Sequence, residues 1–221
     1  MPWSKEKSLG QIREVGLVPI VRAPSAEIAL LAAEAIVAGN IGILEITMTI
    51  PHAIQVMEKV AEKFGDRLLL GAGTILDPET ARVALLAGAE FIVTPALNLK
   101  VIELARRYSK PCMAGALTPT EVVTAWQAGA DLVKIFPCGP VGGAKYIKAL
   151  KGPFPQIEFI PTGGVNLETA PDFIKAGASA VAVGGELIDL KALREGKLEG
   201  IAANARLFLE AVRGARASMT K

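Results

Sequence analysis

The chain has 221 residues, 51% of them hydrophobic, which is enough to bury a large core in one domain. Its 24 basic and 22 acidic residues leave a formal net charge of +2, so there is no broad basic field for nucleic acid or for an anionic membrane. We expect neither partner. No run approaches the ~20 apolar residues of a membrane helix, and the polar start lacks a signal peptide's apolar core. A cytoplasmic protein is therefore expected.

Cysteine and histidine usage limits the chemistry. Cys112 and Cys138 match no CxxC or metal-ligand spacing. His52 is the single histidine, and it follows Pro51 at a predicted helix start, where a surface position is expected. Ser-His-Asp, Cys-His and His-rich metal mechanisms would all depend on this one residue. We therefore expect no metal site and look to lysine, glutamate or tyrosine for the chemistry.

Short apolar, β-branched runs recur along the chain, separated by Ala-rich segments of helical period. There are eight, with starts about 20 to 27 residues apart, at 17–21, 41–47, 68–72, 90–94, 111–115, 131–136, 158–162 and 179–184. Strand, helix and strand at this spacing indicate βαβ units and a parallel sheet. Eight units favour an α/β fold of the (β/α)8 TIM-barrel type. An open doubly wound sheet is the competing fold, because periodicity alone does not prove closure.

Helical segments outside this repeat lie at both ends. The N-terminal segment 3–14 is expected to be an extra helix that plugs the barrel floor, and the last helix is expected at about 200–213. No linker divides the chain, so we predict a single barrel domain over 1–221. Several helices are expected to begin at a capping residue: Ser25, Asp77, Asn98, Thr118 and Asn166. The basic residues near the end are expected to be solvated: Arg206, Arg213, Arg216 and Lys221.

Active sites of this fold lie at the C-terminal ends of the strands. Lys134 is unusual there, because it interrupts the apolar strand DLVKIF and lysine is rarely buried. Burial would lower its pKa and provide an amine nucleophile. Strand alternation places Leu132, Lys134 and Phe136 on one face. If that face points into the barrel, the amine can meet a carbonyl substrate; an outward lysine that snorkels between helices is the alternative.

Glu45 is a second charge in an apolar strand, ILEIT. A carboxylate in such a place requires a partner, and Lys134 has the opposite charge. A structural ion pair is one interpretation. The functional interpretation is Schiff-base aldol chemistry, in which the lysine forms an iminium and the carboxylate moves the proton at C3 of the substrate, directly or through a water.

Glycine pairs after the last two strands indicate an anion site. Gly163-Gly164 and Gly184-Gly185 flank the place where barrels often bind phosphate, since glycine lets backbone N–H groups approach the anion. Thr74, in the GAGT segment after strand 3, could bind a carboxylate with its hydroxyl. Phe136 either shields the site from water or belongs to the core.

These segments resemble a known family. The resemblance covers about residues 10 to 213 and rests on the motifs EIT (45–47), GAGT (71–74), TPTE (118–121), KIFP (134–137), GPFP (152–155) and PTGGV (161–165). They are similar to those of the bifunctional aldolases for 2-keto-3-deoxy-6-phosphogluconate (KDPG) and 4-hydroxy-2-oxoglutarate (KHG). The resemblance implies a metal-independent class I aldolase on a (β/α)8 barrel. It also implies a homotrimer, no cofactor, and cleavage of KDPG to pyruvate and glyceraldehyde 3-phosphate.

The resemblance also implies roles for individual residues. Lys134 would be the Schiff-base lysine, Glu45 the general acid and base, and Thr74 a ligand of the pyruvate carboxylate. Pro95 and Phe136 would line the pocket, and Thr49 and Thr162 are predicted as further substrate-binding residues at the ends of strands 2 and 7. The distal end of the substrate would be bound by Arg22 together with Gly163, Gly164, Gly184 and Gly185.

Three positions depart from the commoner family pattern. Many members carry arginine where Thr49 stands, and many carry serine at the position of Gly185, where Glu186 follows. These two changes alter the carboxylate and phosphate sites, so the preference for a phosphorylated substrate is open. Cys138 replaces a small residue and is interpreted as a packing change.

Two other classes remain as alternatives to the aldolase. Another phosphate-binding barrel enzyme, such as an epimerase, isomerase or synthase, fits the glycine loops but leaves Lys134 unexplained. A non-catalytic trimeric barrel module is supported only by Thr49 and Gly185.

Overall fold

The computed structural model describes residues 3–219. The strands are β1 (Leu17–Val21), β2 (Ile43–Thr47), β3 (Leu69–Gly73), β4 (Phe91–Val93), β5 (Cys112–Ala116), β6 (Leu132–Ile135), β7 (Phe159–Pro161) and β8 (Val181–Val183). The helices are α1 (Lys5–Val15), α2 (Ala26–Ala38), α3 (Ala53–Phe64), α4 (Pro78–Leu86), α5 (Leu99–Arg107), α6 (Pro119–Ala128), α7 (Ala144–Lys151), α8 (Ala170–Lys175), α9 (Leu190–Arg194) and α10 (Leu198–Met219).

The eight strands form one parallel sheet in the order β7-β6-β5-β4-β3-β2-β1-β8. The two outer strands of this order meet through a parallel bridge between Thr162 and Ala182. That bridge closes the sheet into a barrel, so the prediction of a (β/α)8 barrel is confirmed and the open doubly wound sheet is wrong. The strands are buried on both faces, as expected where helices cover a parallel barrel.

Element ends differ from the predicted bounds. Strands β4, β7 and β8 are shorter at both ends than the apolar runs that predicted them. The last helix, α10, is longer than predicted at both ends, and the short helix α9 was not predicted. Four of the five predicted caps are N-caps in the structure. Asn166 is the exception, because it accepts hydrogen bonds within the turn before α8, whose N-cap is Thr169.

The floor of the barrel is held by α1. Its Lys5 pairs with Asp131, just before β6, over 2.7 Å, and its Arg13 pairs with Glu158, just before β7, over 2.6 Å. Ile12 of the same helix is fully buried. These contacts place α1 against the N-terminal ends of the strands, as the sequence predicted.

The basic residues of α10 are not all solvated as expected. Arg216 donates hydrogen bonds to the carbonyl oxygens of Glu14 and Ser179, and Arg206 donates to that of Ala38. Arg206 is nevertheless exposed as expected, whereas Arg216 is half-buried and fastens the last helix to the end of α1 and to the segment before β8. Arg213 is exposed as expected, and Lys221 lies outside the described residues. Within residues 3–219, none of the helices combines the length and the apolar character needed to cross a membrane.

Candidate active site

Lys134 and Glu45 meet inside the barrel. Lys134 belongs to β6 and Glu45 to β2, and these strands lie on opposite sides of the closed sheet. Their Nζ and Oε1 atoms are 3.9 Å apart, a distance that such strands can reach only across the barrel interior. The predicted inward orientation of the Lys134 face is therefore the one the structure has, and the outward, snorkelling lysine is wrong.

Burial controls the protonation of the lysine. The Lys134 side chain is 4% exposed and that of Glu45 is 1% exposed. Loss of hydration lowers the pKa of Lys134 below its usual value, against the opposing effect of the Glu45 charge, and the charge of Arg22 lowers it further. A larger fraction of the amine is therefore unprotonated near neutral pH than for a lysine in water, as a nucleophile requires.

Glu45 retains free hydrogen-bonding capacity. Among residues 3–219, no group within hydrogen-bonding distance satisfies either of its buried carboxylate oxygens. An ion pair at 3.9 Å is too long to count as a hydrogen bond. Both oxygens are therefore available to a substrate or a water, which favours the catalytic interpretation over a purely structural ion pair.

Gly73 provides the space for the Glu45 side chain. A Cβ atom built on Gly73 would lie 1.9 Å from Glu45 Oε1 and 2.5 Å from its Cδ. The carboxylate thus rests directly on the backbone of β3, and any larger residue at position 73 would displace it. This contact could not be predicted from the sequence, because nothing local to GAGT shows that a side chain from β2 crosses it.

Two threonines contribute polar groups at the mouth. Thr74 is half-buried and has φ of +57°, a left-handed conformation that is unusual for a β-branched residue and is found at strained functional positions. Thr162, at the end of β7, is buried, and within the described part of the chain its hydroxyl has no hydrogen-bond partner. Each is a polar group that a ligand could satisfy.

Phe136, directly after β6, and Pro95, in the turn after β4, both lie close to Lys134. The Lys134 Nζ atom is 5.5 Å from the centre of the Phe136 ring, and this ring is only half-buried. Pro95 lies over Gly115, because a Cβ on Gly115 would approach the Pro95 carbonyl carbon to 2.4 Å. Gly115 is the β5 residue paired with Lys134. Apolar groups thus border the amine.

The predicted distal site assembles at β1, β7 and β8. Arg22 is exposed after β1, and its Nη1 atom lies 3.2 Å from the place where a Gly184 Cβ would be. Gly163 and Gly164 both have left-handed φ values, +83° and +78°. Within residues 3–219, no backbone or side-chain acceptor takes a hydrogen bond from the N–H groups of the two glycine pairs. These N–H groups and one guanidinium can receive an anion.

The Thr49 hydroxyl is hydrogen-bonded to Thr47, the last residue of β2. Thr47 donates its hydroxyl proton to the Val21 carbonyl over 3.0 Å, so the Thr49 hydroxyl, 2.7 Å away, donates to Thr47. The exposed Thr49 oxygen can still accept a hydrogen bond, but it brings no positive charge to the mouth. A site with arginine at this position would hold a positive charge that this one lacks.

The remaining candidates lie away from the chemistry. His52 is exposed at the start of α3, as expected. Cys138 is buried, its thiol lies 3.7 Å from the Gly143 carbonyl, and burial raises its pKa to about 12, so it packs rather than reacts. Over residues 3–219, His, Cys, Asp and Glu side chains form no group of three or more that could hold a metal ion.

A parallel barrel with a desolvated lysine facing a carboxylate in its interior is the arrangement of enzymes that form a covalent imine with a carbonyl substrate. Comparison with known proteins gives the family. Residues 9–204 match the model of the KDPG and KHG aldolases, so the chain belongs to that family and is an aldolase, a lyase acting on a 2-oxo acid. This membership decides against a different phosphate-binding barrel enzyme and against a non-catalytic module.

Individual relatives agree with this assignment. The 2-dehydro-3-deoxy-phosphogluconate aldolase of Dickeya dadantii is 34% identical over 95% of this chain and 97% of its own. A KDPG aldolase from Legionella pneumophila, solved with pyruvate captured as a covalent carbinolamine, has a TM-score of 0.84 and 28% identity, covering 90% and 96% of the two chains. A cage designed by fusing symmetric oligomeric domains has a TM-score of 0.85 and 32% identity, covering 93% of this chain and 74% of that one.

Proposed function

We propose that this chain is a class I aldolase that cleaves KDPG to pyruvate and glyceraldehyde 3-phosphate, and KHG to pyruvate and glyoxylate. The observation that carries the proposal is the buried Lys134–Glu45 pair, in which a desolvated amine faces a carboxylate with both oxygens free. The chemistry needs no cofactor, because the iminium at Lys134 is the electron sink.

Lys134 and Glu45 divide the reaction between them. The neutral Lys134 amine adds to the C2 carbonyl to give a carbinolamine, which loses water to become an iminium. Glu45 accepts the proton of the C4 hydroxyl as the C3–C4 bond breaks, and the bonding electrons pass to the iminium, so the aldehyde leaves and an enamine remains. Glu45 then protonates the enamine at C3, and water releases pyruvate and restores the lysine.

The groups around the pair would orient the substrate. Thr74 would donate a hydrogen bond to the pyruvate carboxylate. Phe136 and Pro95 would exclude water from the iminium. Thr162, whose buried hydroxyl is unpaired in the described chain, and Thr49 would contact the polar part of the substrate near the scissile bond.

The distal phosphate would lie at the glycine loops. Arg22 and the N–H groups of Gly163, Gly164, Gly184 and Gly185 supply positive charge and donors. Glu186 is exposed directly after Gly185, and its negative charge opposes a dianion. We therefore infer that preference for the phosphorylated substrate over KHG is weaker than a serine at position 185 would give.

Borohydride trapping tests the central proposal. With pyruvate and borohydride, the protein should gain a covalent adduct at Lys134, detected by mass spectrometry, and Lys134→Ala should gain none. Lys148→Ala, which removes an exposed lysine of α7, is the matched control and should still be trapped. A folded wild-type protein that gains no adduct would overturn the proposal. EDTA should leave the activity unchanged.

Gly185→Ser tests the phosphate end. A Cβ at Gly185 meets nothing within 4 Å, so serine fits without strain and offers a hydroxyl to the phosphate. The ratio of kcat/KM for KDPG over KHG should rise about 10- to 150-fold, the effect of one added hydrogen bond to a charged group. Gly10→Ser, which adds the same group to an exposed position of α1, should leave the ratio unchanged. An unchanged ratio in Gly185→Ser would show that phosphate binds elsewhere.

We also propose a homotrimer. The helices α2, α3 and α7 expose no large apolar residue, whereas five are exposed on or next to α4 and α5. These are Leu76, Val83, Leu86, Leu99 and Tyr108. Exposed apolar residues concentrated on two neighbouring helices support an interface with another copy of the chain, and the number three comes from the family resemblance. Leu86→Lys should lower the mass measured by light scattering to that of one chain. Leu207→Lys, the same exchange at an exposed leucine of α10, should leave the mass unchanged. A wild-type protein of one-chain mass would refute the trimer.

The wider setting of the enzyme follows from the same proposal. The whole chain, 1–221, would act as one barrel domain. The cytoplasm would be its location, because its two buried cysteines are free thiols, which persist in a reducing compartment.

A further inference from the structure

We propose that Thr94 is a positioning residue for the aldolase site: its hydroxyl takes the place of a backbone carbonyl in the β4–β5 ladder and so lets the Pro95 turn close over Gly115, beside Lys134. The inference rests on the proposed function. Thr94 follows β4, is fully buried, and has no other role in the mechanism above.

The ladder between β4 and β5 shows where the substitution occurs. Ile92 N–H donates to the Pro111 carbonyl, and Thr94 N–H donates to that of Met113. In a regular parallel ladder, the next bond would run from Gly115 N–H to the main-chain carbonyl of Thr94. Here Gly115 N–H donates instead to the Thr94 hydroxyl, over 2.9 Å. The side chain thus completes the ladder while the backbone of β4 turns away.

The turn that this permits lies against the inner face of the barrel. A Cβ on Gly115 would lie 2.4 Å from both the Pro95 carbonyl carbon and the Ala96 nitrogen, so the chain after Thr94 passes directly over Gly115. Gly115 is paired with Lys134 and shares its inward face. The 94–96 turn therefore forms the wall of the site next to the stem of the nucleophile.

The hydroxyl is the specific requirement. Valine has the shape of threonine but no acceptor, so Thr94→Val would leave the buried Gly115 N–H without a partner. The least costly relief is for the turn to move back so that a main-chain carbonyl or a water reaches that N–H. Either movement opens the wall beside Lys134 and admits water to the amine.

Paired substitutions test this role. Thr94→Val should lower kcat on the order of 10-fold, the effect of a small misplacement of site groups, and Thr94→Ser should restore it. Water at the amine relieves its desolvation and so raises the pKa of Lys134. The acid limb of pyruvate trapping, which is the fall in the rate of adduct formation as pH decreases, should therefore move to higher pH in Thr94→Val and return in Thr94→Ser. If Thr94→Val does not fold, Thr94→Cys is compared with Thr94→Ser instead, because cysteine has the shape of serine but is only a weak hydrogen-bond acceptor.

Controls separate positioning from general destabilisation. Ile12→Val truncates a fully buried side chain of the floor helix α1, and it should lower stability while leaving kcat and the pH profile unchanged. The proposal is overturned if the valine and cysteine variants retain the wild-type kcat and pH profile, or if serine fails to rescue. Absence of trapping in the wild-type protein would instead reject the proposed function itself.

Discussion

The two ends of the barrel use buried and half-buried charge in opposite ways. At the floor, Lys5 and Arg13 bind Asp131 and Glu158 directly, at 2.7 and 2.6 Å, and Asp131 also accepts the Cys112 N–H. In the interior towards the mouth, Lys134 lies 3.9 Å from Glu45, whose oxygens bond to nothing in residues 3–219. Asp131 and Lys134 are three positions apart along the same strand segment, so a directly paired charge and an incompletely paired one occur on a single strand.

The contrast between the floor and the interior shows where stability has been exchanged for reactivity. A buried polar group without a hydrogen bond costs roughly 1–3 kcal/mol, and an imperfectly paired buried charge costs more. The floor avoids that cost by direct pairing close to solvent. The interior retains it, because a carboxylate already committed to a hydrogen bond could not accept a substrate proton, and a fully paired lysine would remain protonated.

The largest expected effect comes from neutralising the buried Glu45 carboxylate. Glu45→Gln keeps the shape of the side chain but removes the base, so exchange of the C3 protons of pyruvate should slow by about 10²- to 10⁴-fold, as measured by NMR in D2O. Some borohydride-trapped adduct should still form at Lys134. Wild-type exchange in this variant would remove Glu45 from its role and leave the pair as a structural contact.

The second effect comes from displacing the same carboxylate without changing its charge. Gly73→Ala would put a Cβ 1.9 Å from Glu45 Oε1, so the carboxylate must move and kcat should fall on the order of 10²-fold. Gly214→Ala, where a Cβ on α10 meets nothing within 4 Å, is the matched control and should retain full activity. Full activity of Gly73→Ala would show that catalysis does not depend on the exact position of the Glu45 carboxylate, which would contradict the proposed contrast between the two ends.

The third effect is a pair of opposite pH shifts. Glu45 raises the pKa of Lys134 and Arg22 lowers it, beneath the larger lowering by burial. The amine is reactive above its pKa, so the acid limb of pyruvate trapping should move to lower pH in Glu45→Gln and to higher pH in Arg22→Gln. Rates of adduct formation across pH would measure both shifts. Shifts of the same sign in the two variants would contradict this account of the mouth electrostatics.

The sequence predicted the parts of this contrast that are local. Eight β-branched runs at regular spacing predicted the strands, and the lysine within DLVKIF was predicted as a buried charge and a candidate nucleophile. The approach of Lys134 to Glu45 depends on closure of the sheet through Thr162 and Ala182, a contact that no local pattern encodes. The contacts of Gly73 with Glu45 and of Thr94 with Gly115 were not predicted for the same reason, because each joins residues of different strands.

The smallest effect is expected at the floor. Arg13 and Glu158 are partly exposed, so their ion pair should contribute at most about 1 kcal/mol to the free energy of unfolding, despite three short hydrogen bonds. Arg13→Met, Glu158→Gln and the double variant form a cycle that isolates this coupling in urea unfolding. All three should retain wild-type kcat, because the floor pair lies at the opposite end of the strands from the mouth. A fall in kcat without a matching loss of stability would mean that the floor helps to position Lys134 through β6, and that the two ends are not independent.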